Sequence, residues 1–322
     1  MENLKALQQK IESELFNLSV SDQPNALYEP IRYFLNIGGK RIRPILVMLA
    51  AELFDKPAED VLNQALAVEL FHNFTLIHDD IMDKAPLRRG VPTIHERWNE
   101  SQGILSGDVL LIVAYQYLLK SDALNLGALS HAFNKMAIEV CEGQQFDMDF
   151  ENRDDVQIDE YINMIRLKTS VLLGCALELG AIVAQAGAEA RAHLYDFGVN
   201  IGIAFQIQDD ILDVYADASK FGKQVGGDII ANKKTYLYLK ARSLANTSQN
   251  LVFDEQMNNA KHEEKVQVIR DLYNQLEVRK HAEQTMNAYY EKAMYHLKNI
   301  QVDENKKAPL IALSDYLMNR DV

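Results

Sequence analysis

The stretch Phe197–Tyr215, FGVNIGIAFQIQDDILDVY, carries apolar residues on most faces of a helix and then places Asp209, Asp210 and Asp213 near its end. On a helix, residues i and i+4 share one face about a turn apart and i+1 lies about 100° away, so the three carboxylates form a single patch. The same pattern stands far upstream. In Ala67–Met82, AVELFHNFTLIHDDIM, an apolar run again closes on Asp79 and Asp80, with Asp83 next beyond it. Asp108–Leu119 and Tyr161–Ala184 share the apolar character of core helices. Six of the seven prolines fall between Pro24 and Pro92, and the 216 residues from Thr93 to Ala308 contain none. Proline is expelled from helix interiors, so the gap predicts long helices. With no solenoid repeat and no low-complexity linker, the expectation is an all-α chain folded as one large helical bundle over residues 1–322. Glu255–Ile300, richer in charge, reads as outer amphipathic helices. Three glycine- and proline-rich segments read as loops or helix ends: NIGGKRIRP, KAPLRRGVP and KFGKQVGGD.

Composition narrows the function. An apolar content of 48% over 322 residues supports a large core. The formal net charge of −13 argues against nucleic acid as a partner, because that binding is driven by basic surface. The longest apolar stretch, Val171–Gly187, is interrupted by Glu178 and is short for a membrane span, so a buried helix is expected and no membrane anchor. The N-terminus reads as an amphipathic helix without a secretory cleavage pattern, which predicts a cytoplasmic protein. Cys141 and Cys175 lie within apolar helical patterns and read as reduced, buried thiols.

Grouped carboxylates repel one another unless cations compensate them. Hard oxygen donors without His or Cys favour magnesium, whose shell is usually completed by substrate phosphates. An EF-hand is excluded because its Asp-x-Asp-x-Asp-Gly spacing is missing. A di-iron bundle needs two Glu-x-x-His pairs, and Glu69 with His72 is the sole one. Basic residues follow glycines in Gly38–Leu46, with Lys40, Arg41 and Arg43, and in Leu87–Gly90, with Arg88 and Arg89. Guanidinium forks and lysine charges match phosphate oxygens. An acidic metal site for one diphosphate and a basic pocket for another would suit two diphosphate substrates.

From Tyr28 to Thr235 the chain resembles the trans-isoprenyl diphosphate synthases, or polyprenyl synthetases, through GGKRIRP, HDDIMD, LRRG, GDVLL, EGQQFDMDF, RLKTSVL, FQIQDDILD and GKQVGGDIIANKKT. The resemblance implies an isoprenoid synthase fold around a central cavity, a homodimer, and the two acidic motifs facing each other at its mouth. It implies that Asp79, Asp80, Asp83 and Asp209 bind three magnesium ions, supported by Asp210 and Asp213. Arg88, Lys168, Lys223 and Lys233 would contact the allylic diphosphate, and Lys40, Arg43, His72 and Arg89 would bind isopentenyl diphosphate. Thr169 and Gln206 would lie near the carbocation formed when the allylic carbon–oxygen bond ionises. The isopentenyl double bond then attacks, and a proton leaves to the diphosphate without a protein base. Asn232 departs from the family pattern, which usually has Gly there; both residues tolerate unusual backbone angles.

In this family bulky residues upstream of the first motif set product length. Phe74 and Thr75 hold that place, and a single aromatic looks like synthases making the twenty-carbon geranylgeranyl diphosphate, with fifteen-carbon farnesyl diphosphate as the alternative. A terpene cyclase or a silent partner of a homologous synthase remains open at this point; the intact basic clamps and acidic motifs favour the synthase.

Overall fold

The computed structural model describes residues 2–216, 225–257, 259 and 261–319. Its chain is all-α apart from one small hairpin among the described residues. The helices are α1 (Glu2–Phe16), α2 (Asn25–Leu35), α3 (Ile42–Glu52), α4 (Leu62–Met82), the single turn α5 (Ile94–Arg97), α6 (Glu100–Leu118), α7 (Ala123–Glu151), α8 (Ile158–Ile165), α9 (Val171–Val183) and α10 (Ala188–Tyr215). After them come the single turn α11 (Gly227–Ile230), α12 (Tyr236–Leu244), α13 (Thr247–Met257), α14 (His262–Gln275), α15 (Val278–Asn299) and α16 (Glu304–Met318). The charged segment expected as outer helices is thus divided, and the second break falls where Glu277 takes a left-handed φ of 51°.

The chain forms two compact units, each gathered from separate stretches. The first comprises Met1–Asn134, Cys175–Ala192 and Val302–Leu310, the second Lys135–Gly174, His193–Gln301 and Ile311–Val322. In the first unit α4 packs along α6, flanked by α3 and α2. Close approach of α6 is possible because Gly107 has no side chain: a Cβ there would stand 2.3 Å from His78 Nε2. Phe71 and Phe133, both fully buried, meet edge to face with centroids 5.3 Å apart. Truncating either ring would cost about 3–5 kcal/mol. In the second unit Ile207, Ile211 and Val214 of α10 pack with Tyr161, Tyr236, Phe253, Ile269 and Tyr273 in one apolar cluster.

Two local readings change. KAPLRRGVP is a tight hairpin, β1 (Leu87–Arg88) against β2 (Val91–Pro92), with Arg88 opposite Val91. Its two turn residues, Arg89 and Gly90, have φ of 52° and 80°, the primed-turn geometry that matches strand twist. Cys175 is buried, but Cys141 is exposed, on a face of α7 shared with exposed Ile138. No described helix is long and apolar enough to cross a membrane.

Candidate active site

Both aspartate triplets sit in the last turns of long helices, Asp79 and Asp80 at the end of α4 with Asp83 as its C-cap, and Asp209, Asp210 and Asp213 just before α10 ends at Tyr215. Helix C-termini already carry negative dipole charge, which disfavours acids and favours cations. Six carboxylates placed against that field are a cost to stability, one that a cation would offset.

Within each triplet the middle residue points inward. Asp80 is buried, and both of its oxygens accept hydrogen bonds from Arg88 Nε at 2.8 Å, while Arg88 Nη2 lies 2.7 Å from Oδ1. Burial raises the Asp80 pKa, with the Arg88 contact pulling the other way. Asp210, also buried, accepts from the Tyr161 hydroxyl at 2.6 Å, the Tyr236 backbone N–H at 3.1 Å and Gln206 Nε2 at 3.4 Å. Burial first, then the charge of Asp228, pushes its pKa well up. The outer residues Asp79, Asp209 and Asp213 are half-buried and Asp83 is exposed. Asp213 also organises the chain that follows, its Oδ2 accepting from the Asp228 N–H at 3.1 Å.

The donors fit a hard cation: carboxylate oxygens that alternate between an inward anchor and outward ligands. Among the described residues no three His, Cys, Asp or Glu side chains already stand as a metal cage. An open arrangement of this kind matches magnesium, which keeps waters and takes phosphate oxygens as ligands.

The basic residues divide by the same logic. Arg41 takes a left-handed φ of 50° and turns into the first unit, where it pairs with Glu69 and donates to the Leu35 carbonyl at 3.0 Å. Its neighbours Lys40, exposed, and Arg43, half-buried, remain at the surface of that unit. Arg43 Nη1 stands 3.2 Å from His72 Nε2. Burial, followed by the charges of Arg43, Arg89, Arg88 and Arg41, drives the His72 pKa well below its ordinary value. The Arg89 guanidinium packs on Gly39, where an added Cβ would lie 2.7 Å from Nη1. One unit therefore gathers several cations around a neutral imidazole, an arrangement that calls for an anion.

In the second unit Lys168 and Thr169 lie in a π-helical turn, Arg166–Ser170, between α8 and α9. Such bulges are frequent at functional sites. Gly143 and Gly202 let α7 and α10 close on this turn, since their added Cβ atoms would meet Lys168 N at 2.3 Å and Ser170 Cα at 2.6 Å. Lys168 Nζ bonds Asp147 Oδ2 at 2.7 Å, and Thr169 Oγ1 lies 3.4 Å from Gln206 Oε1. Asp147 lies in EGQQFDMDF, and its i+21 spacing from Lys168 is invisible in sequence. Of the two lysines after Asn232, Lys234 is buried and caps α7 through the Phe150 carbonyl at 3.0 Å, whereas Lys233 is exposed. Lys223 lies outside the described residues. Phe74 stacks edge-on with His78 at 4.8 Å and tilts against Phe71 at 5.6 Å, and Thr75 Oγ1 bonds the His72 carbonyl at 2.8 Å.

Comparison with known proteins agrees with this chemistry. The model of the polyprenyl synthetase family matches residues 24–276. A geranylgeranyl pyrophosphate synthase of Geoglobus acetivorans is 35% identical over 98% of this chain and 97% of its own length. A geranylfarnesyl diphosphate synthase of Natronomonas pharaonis is 40% identical over 80% of this chain and 82% of its own. A crystal structure of a geranylgeranyl pyrophosphate synthase superposes with a TM-score of 0.94 at 44% identity, covering 98% of both chains. With its all-α fold, paired aspartate motifs and basic pocket, the chain belongs to the polyprenyl synthetase family of prenyltransferases.

Proposed function

We propose that this prenyltransferase joins isopentenyl diphosphate to an allylic diphosphate by ionisation, condensation and elimination, and that its main product is geranylgeranyl diphosphate. The observation that carries the reading is the juxtaposition in one unit of an acidic triplet at a helix C-terminus and a separate cationic pocket, with Arg43 3.2 Å from His72. Two diphosphates need two grips of different chemistry.

Asp79, Asp83 and Asp209 are the leading metal ligands, and Asp80 joins them if Arg88 releases it to hold diphosphate. Three magnesium ions held there supply charge stabilisation for the departing diphosphate, the larger part of the barrier lowering. Arg88, Lys168 and Lys233 bind the allylic diphosphate, with Lys223 as a further contact, and Asp210 and Asp213 hold the second motif in shape. Lys40, Arg43, His72 and Arg89 bind isopentenyl diphosphate. Thr169 and Gln206 face the carbocation, and the released diphosphate takes the proton. Both motifs are assigned to the allylic diphosphate, in a single functional domain, residues 1–322. Phe74 is the floor that limits elongation, and Thr75, smaller, lets the chain reach it.

The protein acts in the cytoplasm as a homodimer. Leu105, Ile112 and Leu119, exposed at 56%, 59% and 48%, stand at seven-residue spacing along α6 and its C-cap and support pairing with a second copy. Incubation of the pure protein with labelled isopentenyl diphosphate, dimethylallyl, geranyl or farnesyl diphosphate and magnesium tests the reading. A longer linear diphosphate supports it; a cyclic hydrocarbon, or no turnover, overturns it.

A further inference from the structure

Helix α14 supplies no residue to the proposed substrate site, yet it holds the segment that does. Arg270 Nη2 donates to the Val214 carbonyl at 2.5 Å, one residue beyond Asp213. Val266 fills the space beside Gly226, whose φ is 79° and whose added Cβ would stand 2.7 Å from Val266 Cγ1. Lys265, buried at 3% exposure, donates to the Ile230 carbonyl at 3.2 Å and to Asn232 Oδ1 at 2.6 Å. These three side chains lie within six residues of one helix and reach the end of α10, the start of α11 and the loop after it.

The Lys265–Asn232 contact is the unusual one. Asn232 takes a left-handed φ of 55°, and its side chain is committed on both sides, with Nδ2 donating to the Met257 carbonyl at 3.0 Å. Burying an ammonium against neutral oxygens is costly. The next residue is Lys233, whose N–H bonds the Asp228 carbonyl at 2.9 Å, and the Asp228 N–H in turn bonds Asp213 Oδ2 at 3.1 Å. A shift of Asn232 therefore moves Lys233 and reaches the second aspartate motif through two hydrogen bonds.

We propose that Lys265 and Asn232 form a positioning pair that sets the Lys233 ammonium at the allylic diphosphate. The proposal rests on the reading that Lys233 and the second motif bind that diphosphate. Lys265 itself touches no substrate; it acts through the loop.

The test is steady-state kinetics of the full chain with magnesium, varying each diphosphate in turn. Lys265→Met removes the ammonium, and Asn232→Gly keeps the left-handed backbone while deleting both side-chain bonds, so it serves where Lys265→Met folds poorly. Each variant is expected to lower kcat/KM for the allylic diphosphate about tenfold, because small misplacements of a binding group are amplified in rate. KM for isopentenyl diphosphate should stay within about twofold. In a Lys233→Ala background, adding Lys265→Met should cost less than about a further twofold, since coupled residues are not additive. A full additive loss in that background, or equal losses for both substrates, overturns the positioning pair while the wild-type activity stands. A Lys233→Ala variant with unchanged allylic kinetics also overturns it. A wild-type chain that transfers no prenyl group removes the functional reading beneath it.

Discussion

Arg88 holds Asp80 side-on, its Nε 2.8 Å from both carboxylate oxygens and its Nη2 2.7 Å from Oδ1, and so locks the hairpin to the end of α4. Asp80 is almost wholly buried, and removing its partner leaves a buried charge uncompensated. Arg88→Ala should destabilise the protein by about 3 kcal/mol, whereas Asp80→Asn combined with Arg88→Ala should recover much of that loss. Denaturant midpoints of the single and double variants check this. Equal midpoints for both would mean the loss does not come from an uncompensated Asp80 charge.

Gly39 abuts the Arg89 guanidinium with φ of 155°, a conformation that side chains resist. Gly39→Val would push Arg89 aside, and KM for isopentenyl diphosphate should rise about tenfold or more, the loss of one charge-assisted contact. The allylic KM should change little. The measurement is a substrate-by-substrate kinetic comparison.

His72 gives a pH signature. Its folded pKa lies well below the ordinary value near 6.5, from burial first and then from Arg43 and its neighbouring arginines. Below that ordinary value the unfolded chain takes up a proton that the folded chain refuses, so stability falls as pH drops. The slope approaches about 1.4 kcal/mol per pH unit, beginning near pH 6.5 and ending at the lower folded pKa. His72→Gln should flatten the melting temperature across that window; an unchanged slope would assign it to other groups.

Phe74 stacks between Phe71 and His78. Phe74→Ala should lengthen the product mixture beyond twenty carbons, read by chromatography of the dephosphorylated products. An unchanged profile would remove Phe74 from the floor.

Much of this was legible in sequence because it depends on local periodicity. The proline gap and apolar runs gave the helices, and the repeated aspartate spacing identified the ends of α4 and α10. What stayed hidden depends on which way a side chain turns. Arg41 and Arg43 are two residues apart in one basic run, yet a left-handed backbone at Arg41 sends it inward to Glu69 while Arg43 meets His72. Lys233 and Lys234 split the same way, one exposed and one capping α7. The hairpin is illegible in sequence because strands of two residues carry no alternation to detect. Lys265 and Arg270 read as surface charge on an amphipathic helix, and only the fold shows what they hold.

The central claim is that both acidic motifs serve one magnesium-bound diphosphate. It is tested most directly by single-turnover prenyl transfer in Asp79→Ala and Asp209→Ala, each checked for folding by its melting temperature. The account predicts that either change, with the fold intact, lowers the rate at least about a thousandfold, as loss of a metal-bound charge clamp should. Near-normal transfer by either variant would contradict it.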